Sequence, residues 1–137
     1  MMKFARIDLS KTNYTQTDKF RYLTIHDYPE LNEIYIKYCR YKQFPSVMPL
    51  FIDNTMEILG YYDSALIGFS LIRCWDQYNA ECIQFAWDYE QPSYRLGIVS
   101  LENECAVYKA RGFQYLYLGQ DAEYKRQFDG YEVLGPI

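Results

Sequence analysis

The chain has a single histidine, His26, and its four cysteines (Cys39, Cys74, Cys82 and Cys105) lie far apart with no Cys-x-x-Cys pair. A zinc centre needs several thiolate, imidazole or carboxylate ligands at short, regular spacing, so no metal site is expected. No apolar run approaches the length needed to cross a bilayer, and the first residues lack a charged-then-apolar leader. These features predict a reduced, soluble, cytoplasmic protein without a membrane partner. A basic excess is lacking too: 14 Lys and Arg stand against 18 Asp and Glu, a net charge of -4. Nucleic acid is therefore not expected as an unaided partner, because phosphate binding needs a basic surface. Lys109, Arg111, Lys125 and Arg126 could form a local basic patch, although a solvated face explains them as well. No repeat, low-complexity stretch or linker interrupts the chain, so residues 1–137 are expected to form one domain.

What the sequence has in abundance is tyrosine, sixteen in 137 residues. A tyrosine ring covers apolar surface while its hydroxyl stays hydrogen-bonded, which suits half-buried strands, an interface such as a homodimer contact, or a ligand groove. Lys3 to Leu9 alternates as a first strand, and residues 10–22 read as a loop, or strand and loop. Asp27-Tyr28-Pro29-Glu30 predicts a helix start with Asp27 as cap and Glu30 closing a capping box. Leu31, Ile34, Tyr35, Tyr38 and Cys39 then recur at helical spacing. Pro45 and Pro49 end the regularity, leaving an apolar loop over 44–54.

Three strands are predicted next, at 56–62, 65–75 and 80–89, joined by short turns and hence antiparallel. In the third, strict alternation places Ile83, Phe85, Trp87 and Tyr89 on one face and Cys82, Gln84, Ala86 and Asp88 on the other. After Pro92 the period changes: Ile98, Leu101, Cys105 and Tyr108 form an apolar helical stripe, while Ser100, Glu102, Asn103 and Glu104 read as its polar faces. Gly112 ends that helix. A strand at 113–118, a short helical stretch at 121–128 and a last strand at 131–134 follow. The fold class is therefore α/β, a mixed sheet of order β-α-loop-β-β-β-α-β-α-β. It is mostly antiparallel, with one parallel pair flanking the second helix.

This order resembles the GNAT fold of N-acyltransferases. The ending Asp121-Ala122-Glu123-Tyr124, followed by Gly130-Tyr131 and the final strand, is similar to the end of that fold. A second set of residues is more specific. Leu96-Gly97-Ile98-Val99-Ser100, Gly112, Tyr115-Leu116-Tyr117-Leu118-Gly119 and Tyr124-Lys125-x-x-Phe128 resemble the C-terminal region of arginyl- and leucyl-tRNA–protein transferases.

The resemblance implies a single-domain acyltransferase moving an acyl or aminoacyl group to a primary amine of a small molecule or peptide. It implies a co-substrate, a coenzyme A thioester or an aminoacyl-tRNA, rather than a permanently bound cofactor. The strands at 80–89 and 113–118 would splay to open the donor cleft. Tyr124 would protonate the leaving group, and Arg95, Leu96, Gly97, Ile98, Val99 and Ser100 would bind the donor, with backbone N–H groups of the helix start aimed at phosphate. Two departures stand out. Val99 replaces the last small residue of the coenzyme A loop and is expected to crowd a pyrophosphate. The additional N-terminal region of the aminoacyl-transferases is not recognisable in this sequence.

Acyl transfer needs a base, and of the carboxylates Glu81 and Asp88 on the third central strand, Asp88 is the nearer to the expected cleft. Phe44, Met48, Phe51 and Lys125 are the candidate acceptor-binding residues. The alternative function is a non-catalytic GNAT-fold binding module, self-associating through its tyrosine-rich surface.

Overall fold

The computed structural model describes residues 3–44, 50–90 and 95–135. Seven strands form one sheet. They are β1 (Phe4–Asp8), β2 (Phe20–Leu23), β3 (Met56–Asp63), β4 (Ala65–Cys74), β5 (Asn79–Trp87), β6 (Tyr115–Gln120) and β7 (Tyr131–Leu134). Two helices, α1 (Tyr28–Tyr41) and α2 (Leu96–Ala110), cover opposite faces. The spatial order is β2-β3-β4-β5-β6-β1-β7. All neighbours are antiparallel except β5 and β6, which α2 connects as a parallel pair. This is the mixed α/β sheet expected from the hydrophobic periods. What those periods do not show is that β1 lies between β6 and β7, a long-range pairing that no local pattern encodes.

Each face has its own core. On one side Leu31 and Ile34 of α1 pack on Ile58, Phe69, Leu71 and Ala86. On the other, Leu96, Leu101, Cys105 and Tyr108 of α2 pack on Ile7, Leu59, Tyr61, Ile72, Leu116 and Leu118. Close approach of α2 depends on Gly68. A Cβ there would lie 2.5 Å from Leu96 Cδ2 and 3.0 Å from the Ala86 carbonyl oxygen. Gly130, just before β7, has φ +75°, and a Cβ there would strike the Asp8 carbonyl. Only glycine combines that backbone conformation with that contact.

Four local features sharpen or correct the sequence reading. Of the two readings of 10–22, strand and loop is the one observed: its end contributes an edge strand, β2, whose short sequence gives little periodic signal. The capping box precedes α1 by one turn: Thr24 accepts from His26 N, and Asp27 accepts from Thr24 N at 3.0 Å. Asp27 is thus committed backwards and makes no side-chain cap to α1. The helical stretch near 121–128 is a 3-10 helix, Glu123–Gln127.

The fourth feature shapes the site. Leu71 pairs with Gln84 but Ile72 pairs with Cys82, so Ile83 is a bulged residue. A bulge shifts the side-chain phase by one. Cys82, Phe85 and Trp87 consequently pack toward the α2 side, and Ile83 and Ala86 toward the α1 side.

Candidate active site

The parallel pair β5–β6 is short. It holds only through Asn79–Tyr115, Ala80–Leu116 and Glu81–Tyr117, after which β5 runs to Trp87 and β6 to Gln120 without pairing each other. The fork between them is the expected splay. It opens a cleft of about 260 Å³ bordered by Tyr38 of α1 and Lys42 just past its end, and by Gly97, Ser100, Leu101 and Glu104 of α2. Cys82, Phe85 and Trp87 of β5, Leu118 of β6, and Tyr124 and Lys125 complete much of the wall. Gly97, Ser100, Leu101 and Glu104 are spaced by three, one and three, so a single helical face meets the cleft.

Glu104 is the candidate site residue that sequence reasoning missed. Its side chain is 3% exposed, and three adjacent strands converge on its carboxyl group. Tyr61 Oη of β3 lies 2.5 Å and Ser70 Oγ of β4 lies 2.8 Å from Oε2, while Cys82 Sγ of β5 is 3.8 Å from Oε1. Burial pushes the Glu104 carboxyl up to about 7, and the hydrogen bonds from Tyr61, Ser70 and Cys82 only partly offset it. Burial, reinforced by the Glu104 charge, drives the Tyr61 hydroxyl and the Cys82 thiol well above their ordinary ranges, so both stay protonated donors.

Tyr61 has one proton and two acceptors, Glu104 Oε2 and the Ser100 carbonyl at 3.1 Å, and it accepts from Asn103 Nδ2 at 3.3 Å. When Glu104 is ionised, Tyr61 donates to it. When Glu104 is protonated, Glu104 can donate to Tyr61, whose proton then turns to Ser100. The network thus has a satisfied arrangement for either charge state. The polar residues Ser100, Asn103 and Glu104 therefore face inward, contrary to the solvated polar face read from the apolar stripe. The available signal was their spacing: Ser100 and Glu104 lie three and seven positions after Gly97, on the face already assigned to the donor.

The predicted site residues divide. Gly97, Ser100, Tyr124 and Lys125 line the cleft together. Leu96 is buried under α2, Ile98 packs against the α2-side core, and Arg95 is exposed at the helix start. Val99 faces away from the cleft, toward a separate hollow with Thr17, Tyr61 and Leu96, so it does not obstruct the donor side. The N–H groups of Ile98 and Val99 both donate to the Arg95 carbonyl at 3.0 Å. Only the amides of Leu96 and Gly97 have no bonded partner among the described residues. The free N–H groups expected at the helix start are therefore these two.

Asp88 is not part of the cleft lining. It lies just past β5, where Oδ1 is 3.1 Å from Lys37 Nζ and accepts from Glu90 N at 3.0 Å. Phe44 and Phe51 do not line the cleft either. Phe44 meets it through an edge contact with Tyr38 (6.4 Å between centroids), and Phe51 is 68% exposed. Met48 and Tyr94 lie outside the described residues. The four basic residues 109, 111, 125 and 126 form no common patch: Arg111 is bidentate to Glu57 at 2.6 and 3.0 Å, Arg126 pairs with Asp121 at 2.5 Å, and Lys109 donates to the Thr12 carbonyl. Among the described residues the four cysteines are unpaired, no metal-binding cluster occurs, and no helix is long and apolar enough to cross a membrane.

No protein-family model and no curated protein sequence matches the chain. Solved structures do match. A protein assigned to the GNAT acetyltransferase family from Novosphingobium aromaticivorans aligns with a TM-score of 0.69 at 15% identity, over 97% of this chain and 60% of its own. The C-terminal domain of a protein assigned as a lysylphosphatidylglycerol synthetase from Agrobacterium fabrum gives 0.68 at 9% identity, over 91% of this chain and 48% of its own. Saccharomyces cerevisiae N-myristoyltransferase with bound myristoyl-CoA gives 0.61 at 10% identity, over 86% and 41%. The chain thus spans between two fifths and three fifths of the length of these neighbours. The sheet order, the forked parallel pair and these alignments together show that the chain has the GNAT fold.

Proposed function

We propose that this domain is an N-acyltransferase that moves an acyl group from a coenzyme A thioester to a primary amine in the β5–β6 cleft. The observation that carries the reading is Glu104, a buried carboxyl on the cleft wall whose proton affinity is poised near neutral pH. A base of that strength is half ionised at working pH and gains enough on protonation to accept a proton from an attacking amine. The amine nitrogen adds to the thioester carbonyl and loses its proton to Glu104. The carbon–sulfur bond then breaks, and the departing thiolate takes the hydroxyl proton of Tyr124, which also lines the cleft. Tyr61 and Ser70 hold the carboxyl in place. Asp88, held by Lys37, is the weaker candidate for the base.

Three features favour a coenzyme A donor. Val99 does not crowd the cleft, the Leu96 and Gly97 amides have no partner among the described residues and suit phosphate, and beyond Glu81 the β6-facing edge of β5 has no strand partner among the described residues and suits an extended amide-bearing arm. The Leu96–Phe128 residue pattern supports aminoacyl-tRNA as a second donor, but the net charge of -4 and the ion-paired arginines supply little surface for a polyanion. Thermal unfolding with acetyl-CoA tests the reading. Saturation at about 100 times the dissociation constant should add about 2.7 kcal/mol. No shift at millimolar acetyl-CoA would reject the coenzyme A donor.

A further inference from the structure

A second cavity of about 430 Å³ lies beside the fork, lined by Phe4, Trp75, Asp76, Glu81, Tyr117 and Leu134 among others. It is separate from the cleft. Glu81 and Tyr117, the last residues paired before β5 and β6 part, belong to this cavity, whereas the next residues, Cys82 and Leu118, belong to the cleft. Successive strand residues point to opposite faces, so at the fork Glu81 and Tyr117 face the cavity while Cys82 and Leu118 face the cleft, which also reaches Tyr38 of α1. α1 packs over β4 and β5, and the cavity is bounded by β1, β6 and the β4–β5 turn.

Its chemistry is specific. Trp75, Phe4 and Tyr117 supply three aromatic rings, and the carboxylates of Asp76 and Glu81 supply the only formal charges in the lining among the described residues. Trp75 Nε1 donates to Glu81 Oε1 at 2.8 Å, which orients the carboxylate and leaves Oε2 with no partner among the described residues. Asp76 is occupied differently: it accepts from Tyr78 N, Asn79 N and Asn79 Nδ2, holding the turn. Its charge remains.

Trp75 is 60% exposed although it sits in a hairpin that could have carried a polar residue. Neighbouring cations already stack on rings in this region. The Arg73 guanidinium lies 5.4 Å from the Trp75 ring centre, and that of Arg6 lies 3.7 Å from the Tyr115 ring centre, neutralised by Glu132 at 3.3 Å. Neither arginine lines the cavity. An aromatic enclosure with an oriented, half-satisfied carboxylate attracts an ammonium or guanidinium group through the ring faces and the charge together.

We propose that this cavity binds a cationic group of the acceptor, so that the substrate is a molecule with a second positive charge beside the amine that is acylated. The proposal rests on the acyl-transfer reading for the word acceptor, but cation binding by the cavity stands by itself. A linear diamine or a peptide with a basic side chain fits: one positive group rests between Trp75 and Glu81, and the chain reaches the fork toward Glu104. An uncharged or anionic amine acceptor does not fit.

The test is a titration of the whole protein with 1,5-diaminopentane, with 1-pentanol as the neutral chain of equal length. It is followed by the indole N–H resonances of Trp75 and Trp87, the two tryptophans of the chain. Diamine should shift the Trp75 signal saturably, whereas pentanol should not. Glu81→Gln keeps an oxygen for the indole hydrogen bond but removes the charge, and should weaken diamine binding by about tenfold or more. No saturable shift in the tens of millimolar, or equal binding by Glu81→Gln, overturns the cation site. Acetyl-CoA binding is read separately by thermal unfolding. Its absence beside an intact diamine response would reject the coenzyme A donor while upholding the cation site.

Discussion

Replacing Glu104 with glutamine should make the protein more stable at alkaline pH, and the size of the effect follows from the burial of one carboxyl group. In the unfolded chain this group ionises near 4.5, whereas in the fold it ionises at about 7. The native state therefore holds the proton more tightly by about 3 kcal/mol. Because the folded value is raised, the native state binds more protons than the unfolded state between these two values. The contribution to stability is whole below 4.5 and is lost as pH climbs through 7. Glutamine keeps the oxygen that accepts from Tyr61 and Ser70 and cannot ionise. The difference between Glu104→Gln and the parent should thus be smallest near pH 4.5, grow through neutrality, and level off near pH 8.5 at about 3 kcal/mol. For a domain of this size that corresponds to a Tm gap on the order of 10 °C.

Urea unfolding at a series of pH values measures this difference directly. It cancels the carboxylates held below their ordinary range, Asp8, Asp53, Glu57, Asp76 and Asp121, which both proteins share. A difference that stays flat from pH 4.5 to 8.5 would refute the buried-acid argument, and with it the base assigned to the cleft. The same ionisation gives acyl transfer an acidic limb near pH 7, which Glu104→Gln should remove together with about two to four orders of magnitude in rate.

Tyr124→Phe should lower kcat about a hundredfold while shifting unfolding by less than about 0.5 kcal/mol, because the side chain is 67% exposed. Asp88→Asn is its control: it breaks only a part-exposed ion pair with Lys37, costs about 1 kcal/mol or less, and should leave turnover unchanged. Loss of turnover there would return the base to Asp88. Gly68→Ala should destabilise by about 1–3 kcal/mol through its 2.5 Å approach to Leu96. Stability equal to the parent in chemical denaturation would show that α2 can shift to accommodate it.

Much of the fold was legible locally. The Leu31–Cys39 stripe, the three central hairpin-linked strands and the switch of period after Pro92 each reflect side chains that must alternate between core and solvent at a fixed spacing. The Gly97, Tyr124 and Lys125 positions were legible as well, through motif order, and the structure gathers them in one cleft. Asp88 was chosen by its place near a strand end. Distance along a strand, however, does not reveal that Lys37 of α1 waits beside it.

The bulge at Ile83 was invisible, because an inserted residue looks like any other until its partner strand is known. Without the bulge, Cys82 would be assigned to the same face as Ala86. With it, Cys82 faces α2 and approaches Glu104. The sequence alone determined the element types, the parallel crossover and the segment around Gly97 and Tyr124 that lines the cleft, since all of these depend on periodicity, turns and short-range order. Only the tertiary structure decided that β1 is inserted beside β6, that Val99 turns from the cleft, and that Glu104 is a buried acid rather than a solvated one. Proton affinity depends on what surrounds a carboxyl group in space. Tyr61, Ser70 and Cys82 come from three different strands, and no window of sequence contains them all with Glu104.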